Sequence, residues 1–223
     1  MNQFLDASQP LIVNGKARLG YFDDSLSVIN SQDFIYETPF GQPRSDLKKW
    51  LGLKEFQYFG GMSDTLIFGC AIAHLRYVAA AFVYVYDIKQ RKLWSRSWRS
   101  PLGLGFDLAS NPCQGHSHFR IPAVVDIRLE YQNEPRQKTL SIKCKGLEIN
   151  ALMDEQSLQP MSLCTQTGYN GWTYTSKSAG QALKGTVKLG KTQLDLETIK
   201  AYGSLDFSTG YMRHETWWNW ACS

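Results

Sequence analysis

The sequence predicts an all-β, antiparallel fold of the barrel or sandwich type, with few short helices. Short apolar segments follow one another at roughly ten-residue spacing, with turn residues between them. Several segments alternate apolar and polar residues with the period of two that a strand with one solvated face requires. No long helical period, internal repeat or low-complexity tract interrupts this pattern. A β-barrel or β-sandwich is the architecture that it favours.

Composition sets the size of the core and excludes some partners. The 223 residues, 43% of them hydrophobic and 13% aromatic, suffice for one large β domain or two small ones. A disordered chain is excluded by the same figures. The 24 basic and 20 acidic residues are scattered, without the basic stripe that a nucleic-acid-binding surface requires. Nucleic acid is therefore not an expected partner.

The cysteines and the N-terminal segment predict a cytoplasmic location. An odd number of cysteines without paired spacing indicates free thiols in a reducing compartment. They are Cys70, Cys113, Cys144, Cys164 and Cys222. The N-terminal segment has neither the basic nor the apolar region of a secretory signal.

The first part of the chain contains a hairpin, a loop and a short helix. Residues 11–21 predict a hairpin, because Asn14-Gly15 suits a type I′ turn. Residues 38–43 have loop composition. One short helical turn capped by Ser45 follows them.

Residues 65–86 form a nearly continuous apolar stretch of membrane-span length. His74 and Arg76 lie at its centre, where a charge costs about 2.5–3.5 kcal/mol on insertion scales. The second half is also rich in β-branched and aromatic residues. Two consecutive strands, at 65–74 and 76–87, are predicted in place of a transmembrane helix.

The alternating pattern is clearest in the middle of the chain. Residues 125–131 and 140–144 predict an antiparallel hairpin with one solvated face. Residues 147–151 are expected to prolong its second strand beyond a bulge at Gly146. A further hairpin is predicted at 186–196.

The loop at 153–160 is the predicted boundary between two units. Residues 1–155 would form an N-terminal barrel or sandwich domain, and residues 156–223 the start of a second β unit. The alternative is one continuous domain.

Residues 201–220 hold the strongest candidate site. An aspartate among aromatic residues loses hydration, which disfavours its charged form and suits it to donate a proton. Asp206 is the candidate general acid, and aromatic faces would stabilise a carbocation formed by protonating an alkene. The candidate ligand-binding residues are Tyr174, Lys177, Tyr211, Arg213, Trp217, Trp218 and Trp220. The structural alternative is that Asp206 pairs with Arg213 or caps a turn at 208–210, while the tryptophans fill a barrel end.

Strand periodicity limits how these candidates combine. Residues 172–177 alternate as a strand, which places Tyr174 and Lys177 on opposite faces. A regular strand cannot point both side chains into one lumen.

No metal or cofactor is predicted. Cys113, His116 and His118 are residue types that zinc binds, and the two histidines would share a strand face. No second cluster supplies further ligands, and Asn111-Pro112 indicates an ordinary loop. Dinucleotide-binding, phosphate-loop and nucleophile-elbow motifs are absent from the sequence.

Three groups of residues resemble motifs of one family, in that family's order. Residues 54–58 resemble its lysine-acid-aromatic stretch, and residues 174–177 its tyrosine-threonine-x-lysine segment. The order Leu-Asp, Gly-Tyr, Arg and Trp-Asn-Trp-Ala within residues 205–221 resembles its signature. The chain thus resembles the domain of unknown function 2804 family. It resembles more loosely the calycin-like hydratases, such as the carotenoid hydratases, which carry an Asp shortly before a Gly and a Trp-x-Trp pair.

The resemblance implies lipocalin-like, calycin-type barrel halves, one full and one partial in this chain, and leaves the activity unassigned. Because family members continue beyond the tryptophan motif, it also implies that this chain lacks the family's C-terminal portion.

Three functional hypotheses follow. The first is a β-barrel protein that binds a hydrophobic small molecule, a lipid or an isoprenoid, in an aromatic-lined cavity. The second is a hydratase, cyclase or isomerase with Asp206 as general acid, which the looser resemblance suggests. The third is a non-catalytic structural or protein-interaction module. Under that hypothesis the tryptophan end would be an interface, for example of a dimer.

Overall fold

The structure, a computed structural model, describes residues 4–101 and 103–212 and is built almost entirely of antiparallel strands. The first elements are β1 (Ile12–Val13), β2 (Lys16–Ala17), β3 (Gly20–Phe22), a 3-10 turn (Ser31–Asp33), α1 (Asp46–Gly52), β4 (Lys54–Met62), β5 (Leu66–His74), β6 (Val78–Asp87) and β7 (Lys92–Pro101). The remaining strands are β8 (Phe106–Asp107), β9 (Gly115–Ile121), β10 (Val125–Asn133), β11 (Arg136–Cys144), β12 (Leu147–Asp154), β13 (Met161–Thr167), β14 (Gly171–Leu189), β15 (Thr192–Asp195) and β16 (Tyr202–Gly210).

One large antiparallel sheet forms a nearly closed barrel. Its strand order is β7-β6-β5-β4-β16-β14-β12-β11-β10-β9-β8. Strand β14, 19 residues long, pairs with β16 and β13 through its first half and with β12 and β15 through its second. Strand β13 also pairs with β3, while β1 and β2 form a separate hairpin. The predicted all-β, antiparallel class is confirmed.

The barrel interior is filled with side chains. Its core is formed by inward-facing side chains of β4–β6 packed against those of β9–β12. Phe59, Val83, Phe119, Ile127 and Ile149 are each fully buried in it. The inward positions of β10 and β11 are the apolar positions that the alternating pattern predicts.

A second, smaller core lies beside the first. Here the N-terminal segment covers the first half of β14 and the end of β16. Phe22, Phe34, Trp172 and Phe207 are among its buried members. Strand β14 contributes to both cores, and the division of the chain at residue 155 stays a prediction.

Several local predictions are confirmed. The hairpin around Asn14-Gly15 forms, with both residues at positive φ as a type I′ turn requires. Residues 65–86 are the paired strands β5 and β6. Among the described residues, no helix is long and apolar enough to cross a membrane.

Two local predictions are wrong. Gly146 lies not in a bulge but in the tight turn between β11 and the separate, antiparallel strand β12. Its φ of +86° explains the glycine. Residues 208–210 form no turn, because they pair with β4 and β14 as the end of β16. The predicted short helix forms with Ser45 at its N-cap, where the Ser45 carbonyl accepts from Lys49 N at 2.8 Å and the side chain makes no capping hydrogen bond.

Candidate functional site

A groove lies beside α1, between the loop at 36–44 and the turn that joins β13 to β14. Its volume is about 670 Å³, and it opens to solvent. Aromatic and basic side chains dominate its wall. The principal lining residues are Tyr36, Tyr77, Tyr169 and Tyr211, the cations Arg44, Lys48 and Lys54, the acid Glu37, and the apolar Pro39, Leu51 and Met212.

Tyr211 forms the floor of this groove and is held from several sides. Thr167 Oγ1 donates a hydrogen bond to the Tyr211 carbonyl at 3.0 Å. The ring centroid of Tyr211 lies 4.5 Å from that of Tyr36. The Tyr211 ring also packs edge to face on Trp172, with 5.9 Å between the two ring centroids. Burial raises the pKa of Tyr211 to about 12.

The helix α1 approaches these rings closely because it ends in a glycine. A Cβ atom on Gly52 would lie 3.1 Å from the ring of Tyr36 and 3.1 Å from that of Tyr211. Contacts that short are unfavourable between carbon atoms. Gly52 therefore allows the pair of tyrosine rings to pack against the helix end.

Arg44 lies at the end of the loop that borders the groove. The loop folds back on itself, since Arg44 donates its backbone N–H to Tyr36 O at 2.8 Å and Thr38 donates to Gln42 O at 2.8 Å. The guanidinium carbon of Arg44 lies 5.0 Å from the Tyr36 ring centroid, a cation–π contact. Its Nε is buried and has no hydrogen-bond partner among the described residues.

Two lysines complete the basic wall. Lys54 Nζ donates to Leu51 O at 3.0 Å and lies 5.5 Å from the Tyr77 ring centroid. Burial, and then the nearby Arg76 guanidinium, lower the pKa of Lys54. Within the described part of the chain, neither Lys48 nor Lys54 forms an ion pair. The groove thus combines aromatic faces with cations that form no ion pair with a described carboxylate.

Asp206, the predicted general acid, lies on the outer face of the sheet rather than in this groove. It forms an ion pair with Lys177 across the β14–β16 pairing. Thr175 Oγ1 and Ser208 Oγ donate hydrogen bonds to its Oδ1 at 3.2 and 2.8 Å. Asp206 is only 7% exposed, and its partners are an ammonium group and two hydroxyls that also contact each other at 2.8 Å. Gly210, which directly precedes the groove residue Tyr211, lies four positions further along the strand, roughly 13 Å away.

The other predicted site residues are divided between faces. Tyr174 is fully buried on the inner face, where its hydroxyl accepts a hydrogen bond from Leu26 N at 2.8 Å and contacts Ser162 Oγ at 2.9 Å. Lys177 lies on the opposite face, as strand periodicity predicts. The structure therefore brings Lys177 to Asp206 and places Tyr211 in the groove, apart from both. Arg213, Trp217, Trp218 and Trp220 lie outside the described residues.

Sequence reasoning missed a buried charged network between the two cores. Lys138 Nζ donates to Pro112 O at 2.6 Å and lies 3.5 Å from Glu155 Oε2. Ser178 Oγ donates to Glu155 Oε1 at 2.5 Å, and Arg136 Nε lies 3.6 Å from Oε2. Burial lowers the pKa of Lys138, and Glu155 opposes that shift. The sequence did offer one indication of this network. Lys138 lies two residues before Leu140 and four before Ile142, so the alternation of β11 places it on the same inward face.

The residues with metal-binding side chains are separated in the structure. His116 lies 3.5 Å from Asp107, and His118 lies 3.2 Å from Asp126. Cys113 Sγ instead donates to Ser25 O at 3.4 Å. In residues 4–101 and 103–212, no cluster of three or more His, Cys, Asp or Glu could hold a metal ion.

Fold and groove together define a β-barrel protein with an aromatic, positively charged groove at one end. The family model described as domain of unknown function (DUF2804) matches residues 8–223. The chain therefore belongs to this family. No curated protein sequence matches it.

Two solved structures resemble the fold at low sequence identity. A candidate AttH from Nitrosomonas europaea is 13% identical, with a TM-score of 0.46 over 70% of this chain and 50% of that one. Kievitone hydratase from Nectria haematococca is 9% identical, with a TM-score of 0.43 over 75% of this chain and 48% of that one. The chain thus spans about half the length of either structure.

Proposed function

We propose that the protein binds a hydrophobic small molecule in the groove beside α1. The observation that carries the proposal is the wall of this groove, in which four tyrosines and three apolar side chains surround about 670 Å³. A volume of this order suits a drug-sized ligand, and such sites are largely apolar and aromatic with a few polar groups. Tyrosine rings give extensive contact area and keep a hydroxyl for orientation.

The barrel interior supports this location indirectly. Its core side chains fill the space between the two halves of the sheet, and the largest are fully buried. A ligand would have to displace that packing, at a cost of several kcal/mol for each large side chain moved. The groove needs no such displacement, because it is already open.

The alternative of an enzyme with Asp206 as acid gains no support from the geometry. Asp206 is engaged by Lys177 and two hydroxyls and lies on another surface from the groove. A proton donor must reach its substrate within hydrogen-bond distance. The ion pair supports a structural role for this carboxylate instead.

The test is a titration with N-phenyl-1-naphthylamine, an uncharged probe whose fluorescence rises on entering an apolar site. The variant Leu51→Trp places a larger side chain in the groove wall, and we expect the Kd for the probe to rise by about tenfold or more. Leu47→Trp is the matched control, since Leu47 lies one turn earlier on α1, is 65% exposed and does not line the groove.

Two results would contradict the proposal. Absence of saturable probe binding to the unmodified protein would exclude a preformed hydrophobic site. Equal binding by both tryptophan variants would place the site elsewhere, for example in the smaller groove of about 370 Å³ near Trp94 and Leu194. Native mass spectrometry of protein purified from its host, followed by organic extraction, would identify any ligand that remains bound.

A further inference from the structure

We infer that the ligand of this groove is an amphipathic anion, whose carboxylate or phosphate group is held by Arg44 and Lys48 while its apolar body lies on the tyrosines. This inference rests on the proposed function and adds the chemical class of the ligand.

The first argument is the charge of the wall. Arg44, Lys48 and Lys54 line the groove, and Glu37 is the one acid among its described lining residues. Two arginines that are half-buried, as Arg44 is, meet carboxylates in this structure: Arg76 meets Glu55 at 2.9 Å and Arg136 meets Asp24 at 2.9 Å. The groove cations lack such partners in the described part of the chain. Clefts lined by one sign of charge attract ligands of the opposite sign.

The second argument is the unused hydrogen-bonding capacity of Arg44. A guanidinium has five N–H donors, arranged to bind a carboxylate or phosphate through two of them. The side chain of Arg44 donates no hydrogen bond to a described residue, and its buried Nε is left without a partner. Leaving such a group unpaired costs free energy, which an anionic ligand at this position would recover.

The third argument is positioning. The hydrogen bond from Arg44 N to Tyr36 O and the stacking of its guanidinium on the Tyr36 ring fix the arginine at the groove edge. The same Tyr36 ring packs on Tyr211 at the floor. The cation and the aromatic surface therefore share one tyrosine, so a single ligand can touch both.

The fourth argument concerns Lys54. Lys54 Nζ lies at the groove wall, 5.5 Å from the Tyr77 ring centroid. Burial, and then the Arg76 guanidinium, lower its pKa, which means that its charged form is less favourable there than in water. A bound anion would offset this loss. Lys54 would then strengthen the binding without making a direct contact.

The experiment measures displacement of N-phenyl-1-naphthylamine by three compounds with the same alkyl chain: decanoate, decyl phosphate and 1-decanol. We expect both anions to displace the probe at concentrations about tenfold lower than the alcohol. The preference should shrink as the ionic strength rises, because the groove is open to solvent. The relative affinities of decanoate and decyl phosphate distinguish the two kinds of head group.

The variants are Arg44→Gln and Lys48→Gln, with Lys49→Gln as the charge-matched control. Lys49 is the next residue on α1, but its Nζ donates to Gln32 O and it does not line the groove. Either groove variant should reduce the preference for the anions several-fold and leave displacement by 1-decanol unchanged. Lys49→Gln should behave as the unmodified protein.

The outcomes separate the two proposals. Equal displacement by all three compounds would overturn the anion inference while the groove remained a hydrophobic site. If Lys49→Gln reduces the preference for anions as much as Lys48→Gln does, the preference comes from the overall charge of this surface rather than from the groove. That result would overturn the anion inference as well. Failure of every compound, and of the probe itself, would overturn the proposed function.

Discussion

Two sets of charged residues in this protein have opposite surroundings. The buried network of Lys138, Glu155 and Arg136 is closed, because each cation meets a carboxylate and the carboxylate also accepts a hydrogen bond from Ser178. The groove cations Arg44 and Lys48 meet no described carboxylate, although Arg44 is partly buried. Removing one member of a buried ion pair leaves the other charge uncompensated, so each member is required by the fold, whereas an unpaired charge retains its capacity to bind. The comparison teaches that partners, rather than burial, distinguish structural charges from candidate binding charges here.

The largest effect is expected from Glu155→Gln. The substitution keeps the size of the side chain but leaves Lys138, which is 2% exposed, without its buried counter-charge. We expect the free energy of unfolding to fall by about 3 kcal/mol at pH 7, measured by urea denaturation. Lys138 of the variant should have a folded pKa further below its unfolded value of about 10.4. The unfolded state then binds more protons between the two values, so the stability of the variant should rise with pH and the deficit should be smaller at pH 9.5.

Glu148→Gln is the control for this change, since Glu148 lies on β12 with its side chain exposed. Its effect should stay within about 0.5 kcal/mol. If Glu155→Gln lowers the free energy of unfolding no more than Glu148→Gln does, the buried pair contributes nothing to stability. The distinction between structural charges and binding charges would then be wrong.

An intermediate effect is expected from Asp206→Asn. The asparagine can still accept from Ser208 or Thr175, but Lys177 loses its counter-charge, and Lys177 is exposed enough to be rehydrated. We expect a loss of about 1–2 kcal/mol in the free energy of unfolding. A double-mutant cycle with Lys177→Met should give a coupling energy of similar size. Additive single effects would show that the ion pair has no structural role, and an acid-dependent turnover abolished by Asp206→Asn would restore the enzyme hypothesis.

The smallest effect is expected from Lys48→Gln. Its side chain contacts no described carboxylate, so its removal should change the free energy of unfolding by less than about 0.5 kcal/mol. Thermal unfolding without ligand, compared with Lys49→Gln, is the measurement. A loss above 1 kcal/mol would identify Lys48 as a structural charge. It would then belong with Lys138 in the comparison.

The candidate site could be predicted only in part. The sequence singled out Tyr211 and Asp206 by their neighbours, but these neighbours along the chain do not share a site. Arg44, Lys48 and Tyr36 gave no signal, because a loop and a short helix with scattered charges look like ordinary surface. The groove appears only when α1 meets the β13–β14 turn and the end of β16. The contact between Gly52 and the tyrosine rings is equally invisible in the sequence.

The sequence by itself determined the strands, their solvated and buried faces, and several turns. Alternation is a local property of an extended backbone, which is why Tyr174 and Lys177 could be assigned to opposite faces without knowledge of any neighbour. Only the tertiary structure decided which strands that are distant in the sequence lie side by side. The pairing of Lys177 with Asp206 depends on the register of β14 against β16. The hydrogen bonds of Lys138 to Pro112 O and of Ser178 to Glu155 depend on which segments pack against the β11–β12 hairpin. Register and closure are fixed by contacts between residues far apart in the chain, and no local pattern encodes those contacts.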